Sequence, residues 1–233
     1  MIDDRKRRPV SGRGGTDGGS GCIFFDLDGT LTDSGPGITA SVSYALEKLG
    51  APPLDAETLR AFIGPPLKWS FGHFCGFDEA ACTEAVRLYR EYFTAGGMFE
   101  NKVYPGIPEA LDRLRGAGLR LAVATSKPEL FSRQIVAHFG LDVYFEAVCG
   151  AAMDETRTEK AEVLRYALET LGAAPAGSLM VGDREHDVLG AGAVGLHCLG
   201  VLWGYGSREE LTKAGAAALA ETPAEMAELI LHR

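Results

Sequence analysis

The sequence predicts an α/β protein in which helices cover both faces of a parallel sheet and an all-helical segment interrupts the chain after the first strand. From residue 102 onward, helices alternate with strands that are apolar throughout rather than at every second position. Such strands are typical of a parallel sheet buried on both faces. Between residues 34 and 98, only helical patterns occur. A block of helices within an alternating pattern indicates an inserted domain.

Composition describes an ordinary globular chain of 233 residues, long enough for one large domain or two unequal ones. The net charge of −9 argues against a general affinity for nucleic acid or acidic membranes. No apolar run approaches the roughly 20 residues of a membrane-spanning helix. Five scattered cysteines without a C-x-x-C pair favour a reduced, cytoplasmic protein over a disulfide framework or a zinc site.

The first 21 residues contain six glycines and a basic run at 5–8, with almost nothing apolar to bury. This composition predicts a disordered tail. A signal peptide would place an apolar region after the basic residues, and Ser-Gly-Arg-Gly-Gly follows instead. The first strand is expected at 22–25.

Four helices are predicted in the segment that follows. The first begins near Pro36 and ends at Gly50, and Asp55 and Asp78 are N-cap candidates for the second and fourth. Gly64-Pro65-Pro66 separates the second helix from a short third one. Beyond residue 102, strands are predicted at 119–124, 145–149, 179–181 and 196–202, with helices between them and a last helix at 223–231.

Polar side chains follow three of these apolar strands where each strand ends. Asp26 and Asp28 follow the first, Thr125 and Ser126 the second, and Asp183 the fourth. Parallel strands bring these ends to one edge of the sheet, where ligands of such sheets bind. Asp-x-Asp-Gly alone would usually be only a turn. Its strand-end partners favour a metal-assisted phosphoryl-transfer site, to which a lysine at the start of a helix (Lys160) and a further carboxylate (Asp187) are added.

Four motifs of this sequence resemble, in order and spacing, those of the haloacid dehalogenase superfamily of phosphatases: Asp26-Leu27-Asp28-Gly29-Thr30, Thr125, Lys160 and Gly182-Asp183-Arg184-Glu185-His186-Asp187. The resemblance spans residues 22–230. Three further segments look more like the phosphoglycolate phosphatase and bacterial 5'-nucleotidase branch: Ile63-Gly64-Pro65-Pro66-Leu67, Thr125-Ser126-Lys127-Pro128 and the stretch at 200–206.

The resemblance implies a Rossmann-like core at 22–33 and 102–233 and a helical cap domain at 34–101. It implies Mg²⁺ bound by Asp26, the backbone carbonyl of Asp28, Asp183 and Asp187. Asp26 would attack phosphorus to form a phospho-aspartate, and Asp28 would act as acid and then base. The phosphoryl group would be bound by a set comprising Gly29, Thr30, Thr125, Ser126 and Lys160. In the cap, Pro65 and Lys68 are the candidates for substrate contact.

Several alternatives stay open at this stage. Lys68 could be a solvated surface lysine, and Asp187 could cap a helix or pair locally with Arg184. Lys127 is interpreted as a loop residue near the site, and His186 as a polar rim position. Gly-x-Gly-x-x-Gly at 190–195 falls inside a helix, which favours close packing over dinucleotide binding. Trp203 and Tyr205 could stack on a base but are more typical of packing beside a Gly-rich turn.

The expected substrate is a small phosphorylated metabolite, either phosphoglycolate or a nucleoside 5'-monophosphate. A phospho-accepting signalling module and a catalytically silent binding protein are the alternatives. The related branch often has Gly where Glu155 stands, so the loop before Lys160 could be reshaped. Oligomeric state cannot be predicted from this sequence.

Overall fold

The computed structural model describes residues 20–154 and 156–233. The tail prediction for residues 1–21 therefore falls almost entirely outside the described residues, as does the prediction about Glu155. The fold class is confirmed: six parallel strands form one sheet in the order β5-β4-β1-β6-β7-β8, and helices cover it. The strands are β1 (Ile23–Phe25), β4 (Leu121–Pro128), β5 (Val148–Ala151), β6 (Leu179–Gly182), β7 (His197–Val201) and β8 (Ala218–Ala220).

The first strand lies in the middle of this sheet, between β4 and β6. Phe25 pairs with Val123 on one side and with Val181 on the other. Phe24 and Phe25 are both fully buried, on opposite faces, which explains why the strand is apolar at every position. The same register brings Asp26 and Asp28 after β1, Thr125 within β4 and Asp183 after β6 to one edge. Thr125 and Ser126 lie inside β4 and not beyond its end, because the strand continues past an irregularity to Pro128.

A second, two-stranded antiparallel sheet is separate from the main sheet and consists of β2 (Thr32–Asp33) and β3 (Lys102–Val103). It pairs Asp33 with Lys102 and Thr32 with Val103 in antiparallel register. All of the chain between β2 and β3 forms the helical insert, which contains α1 (Gly35–Lys48), α2 (Ala56–Arg60), α3 (Leu67–Cys75), α4 (Glu79–Ala95) and a 3₁₀ turn at Gly97–Phe99. The chain therefore passes between sheet and insert at two adjacent positions.

The predicted caps of the insert are present. Asp55 accepts a hydrogen bond from Thr58 N at 2.7 Å, and Asp78 accepts one from Ala81 N at 2.8 Å. The second helix ends at Arg60 rather than continuing to residue 63. Phe62 is nevertheless buried, and its ring packs against Phe71 and Phe74 of α3 with centroids 5.1 and 5.3 Å away. Burial by packing, rather than helical periodicity, therefore accounts for this apolar residue.

The remaining helices connect the strands of the sheet: α5 (Ile107–Gly116), α6 (Glu129–His138), α7 (Lys160–Leu171), α8 (Glu185–Gly192), α9 (Arg208–Ala214) and α10 (Pro223–Leu231). A second 3₁₀ turn lies at Asp142–Tyr144. The edge strand β8, the two-stranded sheet and the extension of β4 to Pro128 were not expected from the sequence. None of the described helices is long and apolar enough to cross a membrane. All five cysteines are free, and four of them are buried.

Candidate active site

The turn after β1 is closed by backbone hydrogen bonds and depends on one glycine. The amide of Asp26 donates to Val181 O at 2.9 Å, and Leu31 N and Thr32 N both donate to Leu27 O at 3.0 Å. Gly29 has a φ of 83°, in the left-handed region that favours glycine. A Cβ at this position would also collide with the carboxylate of Asp183. The glycine thus lets the strand end run directly against the neighbouring acidic loop.

Three carboxylates converge beside this turn. Asp26, Asp183 and Asp187 each offer an oxygen, and these oxygens all lie within 4.8 Å of one another. Asp183 is fully buried and Asp187 is 1% exposed. Such a group repels itself unless a cation lies among its members. Carboxylate oxygens at this spacing are the ligand type that Mg²⁺ and Ca²⁺ take.

Lys160, the first residue of α7, is the cation of this cluster. Its Nζ lies 2.9 Å from Asp26 Oδ1 and 2.7 Å from Asp187 Oδ1, and it donates to Ala124 O at 3.2 Å. One ammonium against three carboxylates leaves a net charge of −2 when all are ionised. A divalent cation would neutralise that charge, so the donor set and the charge both fit Mg²⁺.

Burial governs the protonation of the cluster. It raises the pKa of Asp26, which Lys160 opposes and Asp187 reinforces. It also raises the pKa of Asp183 well above its usual range, with further increases from Asp187 and Asp26. Burial alone would lower the pKa of Lys160, but the charges of Asp187 and Asp26 raise it instead. The lysine therefore stays protonated, and its single positive charge is shared by several buried carboxylates.

Asp183 and Asp187 are held by different partners. The hydroxyl of Thr30 donates to Asp183 Oδ1 at 3.2 Å, and the amide of Tyr205 donates to Asp183 Oδ2 at 2.8 Å. Asp187 Oδ2 accepts the amide of Arg184 at 3.1 Å and so caps α8, while its other oxygen faces Lys160. Asp187 thus combines the local capping role with membership of the carboxylate cluster.

Asp28 lies apart from the three-carboxylate cluster and has its own cation. Lys127 Nζ is 2.8 Å from Asp28 Oδ2, and only 6% of the lysine side chain is exposed. The same ammonium lies 4.9 Å from the ring centroid of Phe93, on α4 of the insert. Asp28 Oδ1 is buried and has no hydrogen-bond partner among the described residues. One carboxylate oxygen is therefore fixed and the other is free.

The interpretation of Lys127 as a loop residue is wrong, because Lys127 lies in β4. The register of the sheet explains its contact with Asp28: Phe25 pairs with Val123, so the residues that follow each of them lie at the same edge. A lysine two residues beyond Thr125 can therefore reach the second acidic residue beyond Phe25. The contact became predictable only once β1 and β4 were known to be neighbours.

The proposed phosphate-binding residues lie at the same edge but differ in exposure and in whether their polar groups already make hydrogen bonds within the protein. Thr125 is 1% exposed and its hydroxyl accepts the amide of Lys127 at 3.2 Å, whereas Ser126 is half-buried. The amide of Gly29 donates to Thr32 O at 2.8 Å. The hydroxyl of Thr30 is already bonded to Asp183. Gly29 and Thr30 are therefore engaged within the protein itself.

The insert approaches the site through backbone and aromatic groups. Arg184 Nη1 donates to the carbonyl of Ile63 at 2.9 Å, and its Nε donates to Glu210 at 2.8 Å. Pro65 is half-buried, and Lys68 pairs with Glu79 at 3.2 Å with 42% of its side chain exposed. Lys68 is therefore turned toward the start of α4 in this structure.

The remaining sequence candidates have structural explanations. Gly190 packs against α7, where a Cβ would come within 2.7 Å of Lys160 Cβ. Its role in the Gly-x-Gly-x-x-Gly pattern is thus close helix packing beside the site. Trp203 donates to Thr30 O at 3.0 Å, and His186 is exposed.

Comparisons with known proteins show what this chain is similar to. The sequence model of the family described as haloacid dehalogenase-like hydrolase matches residues 23–201. A 5'-nucleotidase of Pseudomonas aeruginosa is 51% identical over 189 residues, which are 81% of this chain and 86% of that protein. The tyrosine-protein kinase PtkA of Mycobacterium tuberculosis is 44% identical over 82% of this chain, which spans 65% of the kinase's length.

Among solved structures, one described as a predicted phosphatase from Clostridium acetobutylicum superimposes with a TM-score of 0.88. It is 47% identical in sequence, and the match covers 92% of this chain and 100% of that one. The likeness thus includes both the sheet and the insert.

Proposed function

The chain belongs to the haloacid dehalogenase-like hydrolase family and is a phosphatase, and we propose that it hydrolyses a small phosphate monoester with Mg²⁺ through a phospho-aspartate on Asp26. The observation that carries this proposal is the buried cluster of three carboxylates around a single lysine. Its net charge of −2 suits one divalent cation. Asp26, Asp183, Asp187 and the backbone carbonyl of Asp28 would hold that cation.

When bound, Mg²⁺ would neutralise charge on the phosphoryl oxygens and so make attack by a carboxylate possible. Asp26 supplies the attacking oxygen, which forms a bond to phosphorus as the bond to the leaving oxygen breaks. Asp28 gives its proton to that leaving oxygen. Thr125 and Lys160 bind phosphoryl oxygens throughout, with Ser126 as a further candidate. Gly29 and Thr30 would first have to release their bonds to Thr32 and Asp183.

The second step returns the enzyme to its starting state. Asp28, now ionised, takes a proton from a water molecule, and the resulting hydroxide attacks phosphorus as the bond to Asp26 breaks. This double role needs a carboxylate with one oxygen free and the group held still. Lys127 holds Oδ2 of Asp28, and Oδ1 has no hydrogen-bond partner in the described part of the chain, which supports the assignment.

The substrate is proposed to be a nucleoside 5'-monophosphate or phosphoglycolate. The name of the Pseudomonas relative, a 5'-nucleotidase, favours the nucleotide. The helical insert at 34–101 would act as a cap that excludes water and contacts the leaving group. Pro65 in the α2–α3 loop and Lys68 in the first turn of α3 stay our candidates for that contact, although Lys68 would first have to leave Glu79.

A second candidate is phosphoryl transfer to a protein, because a relative at 44% identity is a tyrosine-protein kinase. The same nucleophile and cation site would serve a chain that passes its phosphoryl group to a tyrosine hydroxyl instead of water.

The deciding experiment is a turnover screen over nucleoside monophosphates, phosphoglycolate and sugar phosphates, with Mg²⁺ or EDTA present. A parallel reaction contains ATP and a tyrosine-containing peptide. We expect Mg²⁺-dependent phosphate release from at least one monoester and none in EDTA. Turnover that survives EDTA would refute the metal site, and peptide phosphorylation without ester hydrolysis would favour the kinase alternative.

The nucleophile is tested with Asp26→Asn and, as the matched control, Asp142→Asn at an exposed position outside the site. Asp26→Asn should lose hydrolysis and lose the phosphoryl adduct that acid quenching and mass spectrometry detect on the peptide containing residue 26. Asp142→Asn should keep both. Hydrolysis at the wild-type rate by Asp26→Asn would remove Asp26 as the nucleophile.

A further inference from the structure

The loop at 203–206, which we call the tyrosine loop, runs from the end of β7 toward α9 and lies directly against Asp183. The amide of Tyr205 donates to Asp183 Oδ2 at 2.8 Å. Gly204 and Gly206 flank this bond, and a Cβ at either position would collide with Asp183. The loop backbone is therefore packed onto a residue that the proposed function assigns to the cation.

The side chain of the same tyrosine reaches the point where the chain leaves the core. Its hydroxyl donates to Asp33 Oδ1 at 2.8 Å and accepts the amide of Gly35 at 2.7 Å. Asp33 ends β2 and Gly35 begins α1. These two bonds hold the first passage from the sheet to the helical insert.

The return passage lies next to the first. Lys102 pairs with Asp33 in the two-stranded sheet, and the amide of Tyr104 donates to Leu31 O at 3.1 Å. Tyr205 thus contacts the acidic cluster with its backbone and the first passage with its hydroxyl. The return passage is joined to the first through the pairing of β2 with β3.

We propose that Tyr205 is a positioning residue that couples Asp183 to the two passages, so that filling the site and fixing the helical insert favour each other. The coupling rests on the proposed function, since filling means binding of Mg²⁺ and phosphate. A tyrosine ring has few rotatable bonds, so movement of the loop backbone is passed to the hydroxyl. Such coupling is reciprocal: loosening the passages must weaken binding at the site by the same factor by which binding tightens the passages.

If Tyr205 served only to pack its ring, the conservative substitution Tyr205→Phe would have a different outcome from the one that coupling predicts. Phenylalanine keeps the ring and the amide bond to Asp183 and removes only the hydroxyl. Under simple packing, the passages would respond to ligands as before. Under coupling, that response is lost although every proposed catalytic group is intact.

The test follows amide hydrogen exchange in peptides that cover 31–36 and 101–105, together with calorimetric binding of Mg²⁺. Exchange is measured in EDTA and in Mg²⁺ with inorganic phosphate. In the wild type, ligands should slow exchange of the Gly35 amide. In Tyr205→Phe, that amide should exchange about tenfold faster and respond little to ligands, as expected for one lost hydrogen bond. Mg²⁺ affinity should fall, and KM for an aryl phosphate should rise by a similar factor while kcat changes less.

Tyr92→Phe is the matched control, because its hydroxyl also donates to a carboxylate, Glu100 at 2.8 Å, but on the exposed surface of the insert. It should behave as the wild type. Asp33→Asn weakens the other end of the tyrosine contact and should reproduce the loss of ligand response. If Tyr205→Phe lowers thermal stability yet its passages still respond to Mg²⁺ and phosphate, the coupling is refuted. A wild type that neither binds Mg²⁺ nor hydrolyses esters would instead refute the proposed function.

Discussion

At the carboxyl edge of the sheet, Lys160 and Asp187 pair with only 4% and 1% of their side chains exposed, whereas on the insert Lys68 and Glu79 pair with 42% and 87% exposed. Both contacts are ion pairs within hydrogen-bond distance, at 2.7 and 3.2 Å. A buried charge is costly to leave alone, so each member of the buried pair fixes the other. The exposed pair contributes little and either member can find water instead. The sheet edge is therefore rigid, and the insert face is free to change partners.

The largest effect of a single substitution is expected at the buried sheet edge, for Asp183→Asn. This variant should reduce phosphatase activity to background and yet stabilise the metal-free protein. Burial raises the pKa of Asp183 in the folded chain, so the folded state binds this proton more tightly than the unfolded chain does. The stability that the proton contributes is lost as pH rises through the raised pKa. At neutral pH the asparagine avoids that loss, and we expect a melting temperature about 2–5 °C higher in EDTA.

The measurement is a thermal melt in EDTA between pH 5 and 8, with Asp142→Asn as the control. The wild type should lose stability relative to Asp183→Asn as pH rises. A lower melting temperature for Asp183→Asn at pH 8 would mean that its bonds to Thr30 and Tyr205 outweigh the repulsion. The buried edge would then be held by hydrogen bonds rather than strained by charge.

Lys160→Met should lower kcat by about 10²–10³-fold, the cost of losing one preorganised donor to the phosphoryl oxygens. It should also destabilise the metal-free protein by about 3 kcal/mol, because two buried carboxylates lose their cation. Steady-state kinetics and chemical denaturation measure the two effects. A variant that keeps wild-type kcat would remove Lys160 from the reaction and leave it a structural residue.

Lys127→Met tests the residue that lies between the two regions, since it touches both Asp28 and Phe93. Without the ammonium, Asp28 is free to rotate, and we expect kcat to fall about 10–100-fold, as for a mispositioned acid–base group. Lys213→Met, at an exposed position on α9, is the control. Equal kinetics for the two variants would show that Asp28 needs no support from Lys127.

Lys68→Ala should have the smallest effect, less than threefold on hydrolysis of an aryl phosphate and less than about 1 kcal/mol on stability. Kinetics with the preferred monoester from the screen provide the sharper measurement. A rise of tenfold or more in KM for that monoester alone would support the sequence-based assignment of Lys68 to substrate contact.

Sequence patterns were informative where one rule of topology sufficed. Alternating helices and apolar strands imply a parallel sheet, and a parallel sheet brings Asp26, Thr125 and Asp183 to one edge. The strand β8 could not be predicted in this way, because Ala-Leu-Ala carries almost no strand signal and forms only beside β7. The two-stranded sheet of β2 and β3 has two residues in each strand, too few to show an alternation of apolar and polar residues.

Individual ion pairs depend on distances that no local pattern contains. Lys127 is found beside Asp28, at the buried sheet edge, only when β1 and β4 are known to be neighbours. The sequence position of Lys68 is compatible with contact to substrate and with contact to Glu79. The carboxylate cluster could thus be anticipated from residue types, while the partners of Lys127 and Lys68 required the fold.

Arg184 binds the insert through the main-chain carbonyl of Ile63 rather than through a side chain. Any residue at position 63 that keeps the loop's path offers the same acceptor. Substitutions in the α2–α3 loop can therefore accumulate without loss of this anchor, which makes the loop a natural place for selection to explore new substrates. Libraries randomised at positions 65, 66 and 68, with Leu67 kept because it packs against the core, should retain folded variants at high frequency.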